Sequence, residues 1–156
     1  GTCVMSWQPG LLIKWWNSSI NMAEPDTIPT TTFGTANNFL TKGQNLNLLA
    51  YDTPPVAGLT TNFFMKAVGE IYLSSAYTEL KGNFDDGAKI WINGVLVHDG
   101  WGWGADIDVV IPISVPTSGW YSFKIQWADV YAGYQCVLKD NNNVVLPISR
   151  YRYLDI

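Results

Sequence analysis

One stretch of the chain decides the fold: residues 81–101, which read KGNFDDGAKIWINGVLVHDGW. Over residues 89–93 apolar side chains alternate with polar and aromatic ones, which is the period of a half-buried strand. Asn93 and Gly94 follow, and because both residue types tolerate positive φ, the pair predicts a two-residue hairpin turn. A return strand then begins at Val95. We therefore predict a rigid β-hairpin in the middle of the chain.

Two adjacent carboxylates, Asp85 and Asp86, stand just before Gly87 at the start of this hairpin. Calcium takes its oxygen ligands from carboxylates, carbonyls and water. The pair is therefore a candidate cation site held at one end of a rigid element. The alternative is an ordinary acidic turn exposed to solvent.

Short strands separated by turns flank the hairpin on both sides. The glycines (14) and prolines (8) are spread along the chain, as in an all-β protein. The predicted strands cover residues 11–16, 62–80, 106–115, 120–127 and 134–139. In the last three, side chains alternate and the following residues share a face within each strand: Ile107, Val109, Ile111, Ile113 and Val115; Tyr121, Phe123, Ile125 and Trp127; and, facing inward, Tyr134, Cys136 and Leu138. We expect residues 1–156 to form one antiparallel β-sandwich, jelly-roll-like, with a long irregular N-terminal excursion over 17–45. Pro112 predicts an edge strand or a bulge.

The order of these motifs resembles a known family. The run from Phe84 to Trp101, with its aspartate pair, apolar strand, tight turn and second strand, is similar to the central signature of the protective-antigen-type lectin-like (PA-fourteen) domain. The segments 10–16, 119–125 and 132–138 resemble its opening aromatic strand, its glycine-aromatic strand and the segment after its glycine-bearing loop. The resemblance thus spans nearly the whole chain.

The resemblance implies a β-sandwich that binds glycans through Ca²⁺. In lectin members of the family an aspartate pair joined by a cis peptide binds the ion, which coordinates sugar hydroxyls, and a later loop adds ligands. Asp85 and Asp86 take the place of the pair. In the loop, Asp129 stands where family members often have an asparagine, and Tyr131 and Gly133 are candidate ligand contacts.

Composition limits the partners. The net charge is −4 and the nine lysine and arginine residues are scattered, whereas nucleic-acid binding needs a basic patch, so we expect no nucleic-acid partner. No uninterrupted apolar stretch is long enough for a membrane span, and no signal peptide is visible.

The two cysteines, Cys3 and Cys136, lie near opposite ends of the chain. First and last strands of a sandwich are often neighbours, so a disulfide between them is one interpretation, and it would imply an oxidising, extracellular setting. Two separate buried thiols are the other interpretation. The spacing matches no zinc motif.

Trp101 and Trp103 follow the hairpin between glycines, where an exposed indole offers a flat surface to a sugar ring. The alternative for Trp101 is packing at the edge of the core. An enzyme is not expected. His98 and Asp99 are adjacent on a strand and point to opposite faces, and a glycosidase pair at Asp106 and Asp108 would need a cleft.

Two functions from different classes remain. The first is a calcium-dependent carbohydrate-binding or adhesion domain on an extracellular or virion surface, with a glycan or glycoprotein partner. The second is a structural subunit of an extracellular filament, appendage or virion tail, which binds copies of itself through the sandwich and an N-terminal arm. Its support is the abundance of aromatic residues, eight Trp, eight Tyr and six Phe, which favour protein–protein interfaces.

Overall fold

A computed structural model describes residues 5–17, 38–51, 53–59, 62–102, 104–129 and 133–155. The strands are β1 (Ser6–Pro9), β2 (Leu11–Asn17), β3 (Asn38–Gln44), β4 (Asn47–Ala50), β5 (Phe63–Leu73), β6 (Glu79–Asp85), β7 (Gly87–Ile92), β8 (Val95–Asp99), β9 (Asp106–Pro112), β10 (Gly119–Asp129), β11 (Tyr134–Lys139) and β12 (Tyr151–Asp155). A 3-10 turn, Ile148–Arg150, precedes β12.

These strands form two antiparallel sheets. In the large sheet the order is β1-β12-β5-β10-β7-β8, and β2 and β3 extend it from β5. The small sheet has the order β4-β11-β6-β9. Strands β5 and β10 pair along their whole length and form the centre of the large sheet. The predicted all-β sandwich is confirmed.

The core lies between the sheets, where alternate side chains of each strand point inward. On β10 the inward residues Phe123, Ile125 and Trp127 are almost completely buried. On β11, Cys136 and Leu138 are fully buried, as the alternation predicts. Each inward side chain of this size contributes about 1.5–3 kcal/mol through burial, so alternation fixes which face of each sheet is available for function.

The central hairpin has the predicted form. Strands β7 and β8 are joined by Asn93 and Gly94, with φ of 53° and 77°. Both values lie in the left-handed region that a two-residue turn of this kind requires. The hairpin sits at the edge of the large sheet, and its start, Gly87, pairs with Ala128 near the end of β10.

Two elements differ from the sequence prediction. The N-terminal excursion is shorter than its composition suggests, because Asn38–Gln44 forms a regular strand that pairs with β2. Residues 18–37 lie outside the described part of the chain. On β9, Ile107 does not face inward with its neighbours but is 62% exposed. Asp108 has φ of 56°, and the β6–β9 register shifts there, so a bulge reverses the alternation.

Pro112 lies at the end of β9, which is an edge strand of the small sheet. The edge position predicted from this proline is confirmed. Proline has no N–H to donate to a neighbouring strand, so it is tolerated where no further strand pairs.

Candidate functional site

Three aspartates meet at one end of the sandwich. Asp85 ends β6 in the small sheet and Asp129 ends β10 in the large sheet. Asp86 lies between β6 and β7, where the chain crosses from one sheet to the other. We call these three residues the acidic corner. The two sheets converge there, so residues far apart in sequence become neighbours.

The carboxylates of the acidic corner are close and largely removed from solvent. One oxygen from each of the three side chains lies within 4.8 Å of the other two. Asp86 is 6% exposed and Asp129 is 2% exposed, whereas Asp85 is half-buried. The peptide bond between Asp85 and Asp86 is cis, which is the form that the resemblance implied.

Backbone and indole groups hold these aspartates in place. The Gly104 N–H donates to Oδ1 of Asp86 at 2.9 Å. The Asp86 N–H donates to the carbonyl of Ala128 at 3.1 Å. Nε1–H of Trp127 donates to the Asp85 carbonyl at 2.9 Å. The aspartate pair is therefore tied to β10 and to the loop after β8.

A cluster of aromatic rings in the core lies next to the acidic corner and includes Trp127, which binds the Asp85 carbonyl. Phe63 stands edge-to-face against Trp127, with ring centroids 5.0 Å apart, and against Tyr134 at 6.0 Å. Trp15 joins the cluster, with its ring centroid 6.4 Å from that of Trp127. Such pairs contribute about 0.5–1.5 kcal/mol each beyond area burial. The corner thus rests on a rigid base rather than on a mobile loop.

The grouped charges change the titration of their neighbours. Burial, the nearby Asp86 charge and a hydrogen bond with Asp86 raise the pKa of Asp85 above its ordinary value of 3.8. Burial and the charge of Asp129 likewise raise the pKa of Tyr134 above 10.0. A cation between the carboxylates would offset the repulsion that raises the pKa of Asp85.

The donor set fits a hard divalent cation. Ca²⁺ binds oxygens at 2.3–2.6 Å, so ligands on opposite sides of one ion lie about 5 Å apart. The three oxygens lie within 4.8 Å of one another, so they can all reach one ion. Three carboxylates supply charge, and the donors are all oxygen, which suits Ca²⁺ rather than a softer metal. Asp85, Asp86 and Asp129 would hold the ion.

The other residues proposed from the sequence occupy different surroundings. Trp101 is half-buried and stacks on Phe64, with centroids 6.1 Å apart and planes 12° apart. Gly133 has φ of 68° and donates its N–H to Tyr51. Trp103 and Tyr131 lie outside the described residues. Contact of these four positions with a ligand stays a prediction.

The structure describes one of the two cysteines. Cys136 is completely buried and carries a free thiol in the structure, and burial raises its pKa far above the ordinary value. Cys3 lies outside the described residues, so the disulfide stays a prediction. Nearby, the ring of His98 stacks on Phe84 with centroids 5.5 Å apart, which gives this histidine a packing role.

Sequence reasoning missed two residues that shape the corner. Alternation along β10 places Trp127 on the same face as Phe123 and Ile125, but its indole N–H also donates to the Asp85 carbonyl. Gly104 supplies the N–H that holds Asp86. A glycine-rich segment after the hairpin was the available signal for Gly104. No sequence pattern marks a core tryptophan as a hydrogen-bond donor to a distant carbonyl.

Solved structures with this architecture are known. The PA14 domain of the antifreeze protein MpAFP is 16% identical with a TM-score of 0.66, and the match covers 98% of this chain and 95% of that one. The PA14 sugar-binding domain from an RTX adhesin is 14% identical with a TM-score of 0.56, covering 93% and 98%. This chain has the PA14 fold. The expectation from the resemblance is confirmed at the level of the fold.

A third similar structure is an anti-sigma factor domain-containing protein, 16% identical with a TM-score of 0.64. The match covers 91% of this chain but only 46% of that protein, so the PA14-fold chain spans about half its length. No protein-family model matches the sequence, and no curated protein matches it. The described part of the chain contains no helix that is long and apolar enough to span a bilayer.

Proposed function

We propose that this chain is a calcium-dependent carbohydrate-binding domain that serves adhesion on an extracellular surface. The observation that carries the proposal is the acidic corner, where three carboxylate oxygens lie within 4.8 Å of one another and two of the side chains are buried. Buried carboxylates in contact are costly without a cation. The structural similarity to a PA14 sugar-binding domain from an adhesin supports the carbohydrate part.

Each aspartate has a role in this proposal. Asp86 and Asp129 would provide the buried negative charge, and Asp85, which is half-buried, would face the open side of the ion. A bound Ca²⁺ supplies positive charge and open coordination positions that sugar hydroxyls can fill in place of water. The hydrogen bonds from Gly104 and Trp127 would keep the ligands oriented when sugar binds.

Residues around the corner would determine which sugar is accepted. Gly133 belongs to the loop that follows Asp129. A Cβ at Gly133 would lie 3.2 Å from the ring of Tyr51, so glycine lets the chain pass close to this tyrosine. We propose that Trp101, Trp103, Tyr131 and Gly133 form the rim around the bound glycan. The proposal assigns binding rather than catalysis to the site.

Thermal unfolding with Ca²⁺ and with chelator tests the metal. A ligand that binds only the folded state must raise its stability. We expect Ca²⁺ to raise the Tm of the wild type and of Asp108→Asn, an exposed aspartate outside the corner. We expect no rise for Asp129→Asn, whose Tm in chelator should equal or exceed that of the wild type because a buried charge has been removed. A glycan array probed with Ca²⁺ and with chelator then tests the sugar.

The metal proposal fails if Ca²⁺ leaves the wild-type Tm unchanged, or if Asp108→Asn loses the effect together with Asp129→Asn. The carbohydrate proposal fails separately if Ca²⁺ binds and no glycan on the array is retained. Substitution of Gly133 by alanine should reduce glycan retention while the rise in Tm with Ca²⁺ persists, because that residue lies on the rim and is not a carboxylate ligand.

A second function, a self-assembling structural subunit, is favoured by a specific observation. The edge strand β8 carries large apolar side chains in solvent, Val95, 62% exposed, and Leu96, 44%. Edge strands normally carry devices that prevent pairing with another chain, and β8 has neither a proline nor a lysine. Sedimentation velocity over a range of concentrations distinguishes the two: a monomer throughout contradicts assembly, and concentration-dependent oligomers that persist in chelator support it.

A further inference from the structure

A cavity of about 190 Å³ opens on the outer face of the small sheet. Strand β6 contributes three of its lining residues, β9 contributes two, and the turn after β11 contributes one: Lys81, Gly82, Asn83, Asp108, Val110 and Asn143. On β6, Leu80 and Phe84 are fully buried in the core. Successive strand residues point to opposite faces, so Lys81 and Asn83 point outward. We call this space the small-sheet cavity.

A β-bulge lies directly beside the cavity. The residues on either side of Asn83 pair with Val109 and Asp106 of β9. Two residues of β9, Ile107 and Asp108, therefore lie opposite one residue of β6. A bulge interrupts the ladder and redirects the side chains of the bulged strand. Here it leaves Ile107 62% exposed and places Asp108 on the cavity wall beside Asn83.

The cavity holds a nearly buried amide that has no partner. Asn83 is only 6% exposed, and its side chain makes no hydrogen bond to any other described residue. An amide removed from water without a partner costs stability. The amide offers two N–H donors and one carbonyl oxygen. Because Asn83 lines the cavity, this amide is available there to a ligand that both donates and accepts hydrogen bonds.

Opposite charges line the same cavity without pairing. Lys81 brings an ammonium and Asp108 a carboxylate, and neither takes part in the ion pairs of the described residues. The cavity therefore keeps a donor and an acceptor apart, with room for a ligand between them. Asn143 adds a second amide, and Val110, which is 55% exposed, adds an apolar surface. Since the two charges balance, this lining suits a neutral ligand rather than an ion.

We propose that the small-sheet cavity binds one neutral sugar unit of a glycan whose neighbouring unit binds at the acidic corner, which rests on the function proposed above. Sugar hydroxyls both donate and accept hydrogen bonds, so they match the ammonium, carboxylate and amides of the lining. Sites for drug-sized ligands measure about 300–1,000 Å³, so this smaller space suits a single sugar ring.

The position of the cavity explains how one glycan reaches both places. Asn83 and Asp85 lie on the same side of β6, two residues apart, and two residues of a strand span about 7 Å. Neighbouring units of one glycan can cover this distance. The acidic corner then holds one unit through the ion, and the small-sheet cavity makes the domain selective for glycans longer than one unit.

Affinity for sugars of increasing length tests the inference on the full chain. The probes are the neutral mono-, di- and trisaccharides of glucose, galactose and mannose, in saturating Ca²⁺. For at least one sugar, we expect the wild type to bind a longer form at least about tenfold more tightly than the monosaccharide. Lys81→Met should remove this gain and leave the Kd of the monosaccharide unchanged. Lys139→Met is the matched control, because Lys139 lies directly opposite Lys81 and does not line the cavity.

Two further variants separate sugar binding from folding and from the metal. Asn83→Leu removes the unpaired amide, so its Tm without glycan should equal or exceed that of the wild type, whereas the gain from the longer sugar should be lost. Asp108→Asn should also reduce that gain. Both variants should keep the rise in Tm with Ca²⁺, because neither residue belongs to the acidic corner.

The inference and the proposed function fail in different ways. Longer sugars that bind no more tightly than monosaccharides, or a gain that survives in both Lys81→Met and Asn83→Leu, would overturn the inference and leave the proposed function standing. An equal loss in Lys139→Met would also overturn it, as would tighter binding of a disaccharide whose second unit is a uronate than of its neutral counterpart. If none of the sugars binds although Ca²⁺ does, the proposed carbohydrate function fails and the inference fails with it.

Discussion

The acidic corner and the outer face of the large sheet share strand β10 but are built in opposite ways. Asp129, at the end of that strand, is 2% exposed, rests above an aromatic cluster and meets carboxylates from the other sheet. Lys124, five residues earlier on the outer face, is half-buried, and its ammonium lies 4.1 Å from the centroid of Trp91. Charge at the corner is buried and fixed by hydrogen bonds, whereas the charges of the outer face are half-exposed and come from separate strands.

The difference shows how the corner can be specific for an ion. Buried charge in a fixed geometry selects one small ion by distance and coordination. The lysines of the outer face come from separate strands and are not gathered around one point. Changes beneath the corner should therefore alter stability strongly, and changes on the outer face should alter it weakly.

The largest expected effect is beneath the acidic corner. Trp127→Ala removes a fully buried ring that packs on Phe63 and donates to the Asp85 carbonyl. We expect a loss of about 3–5 kcal/mol in the free energy of unfolding, measured by urea denaturation. Lys124→Ala, on the same strand, should cost less than about 1 kcal/mol. Similar losses for the two variants would contradict the contrast between the regions.

Calcium and pH should act on the corner together. The pKa of Asp85 is raised in the folded state, so protonation of Asp85 favours the folded, metal-free protein over the unfolded chain. This contribution to the free energy of unfolding is fully present below about pH 3.8 and is lost as the pH rises through the folded pKa. Calcium at a hundredfold excess over its Kd should add about 2.7 kcal/mol where Asp85 is ionised, and less where it is protonated.

Urea denaturation over a pH series, in chelator and in Ca²⁺, measures both effects. Asp85→Asn removes the titrating group, so the difference between wild type and variant isolates its contribution from those of other carboxylates. An identical pH dependence of the two proteins in chelator would show that Asp85 does not titrate in the way described.

An intermediate effect is expected for Arg152, a cation of the large sheet that lies between two aromatic rings. Arg152 is stacked between Trp7 and Trp120 and binds Glu70 through Nε at 2.8 Å and a terminal nitrogen at 2.6 Å. Lysine cannot reproduce this planar contact. Arg152→Lys should lower the free energy of unfolding by about 1 kcal/mol, whereas Lys42→Arg, at an exposed side chain, should leave it unchanged. Equal losses for the two variants would show that the stacked position of Arg152 adds no stability.

The sequence was informative where structure is local. The hairpin turn follows from two adjacent residues, Asn93 and Gly94, whose φ values are both positive. The partners Asp85 and Asp86 are adjacent in the chain, so their proximity needs no fold. Asp129 was included only through the family resemblance, because its place beside the pair depends on how β10 pairs with β5 and β7.

Other features depend on register and were not visible in the sequence. The lysines looked scattered because Lys14 and Lys66 come from distant segments, and only strand pairing makes them neighbours. The exposure of Ile107 follows from the bulge at Asp108, which interrupts a regular alternation. Period-two patterns predict faces well within one strand, but they carry no information on which strands lie side by side.

Calcium titration by isothermal calorimetry tests the central claim most directly. The account predicts one Ca²⁺ per chain for the wild type and for Asp108→Asn, and no measurable binding for Asp129→Asn while that variant remains folded. Wild-type protein that takes up no calcium, or Asp129→Asn that binds as tightly as the wild type, would contradict the assignment of the acidic corner as the metal site.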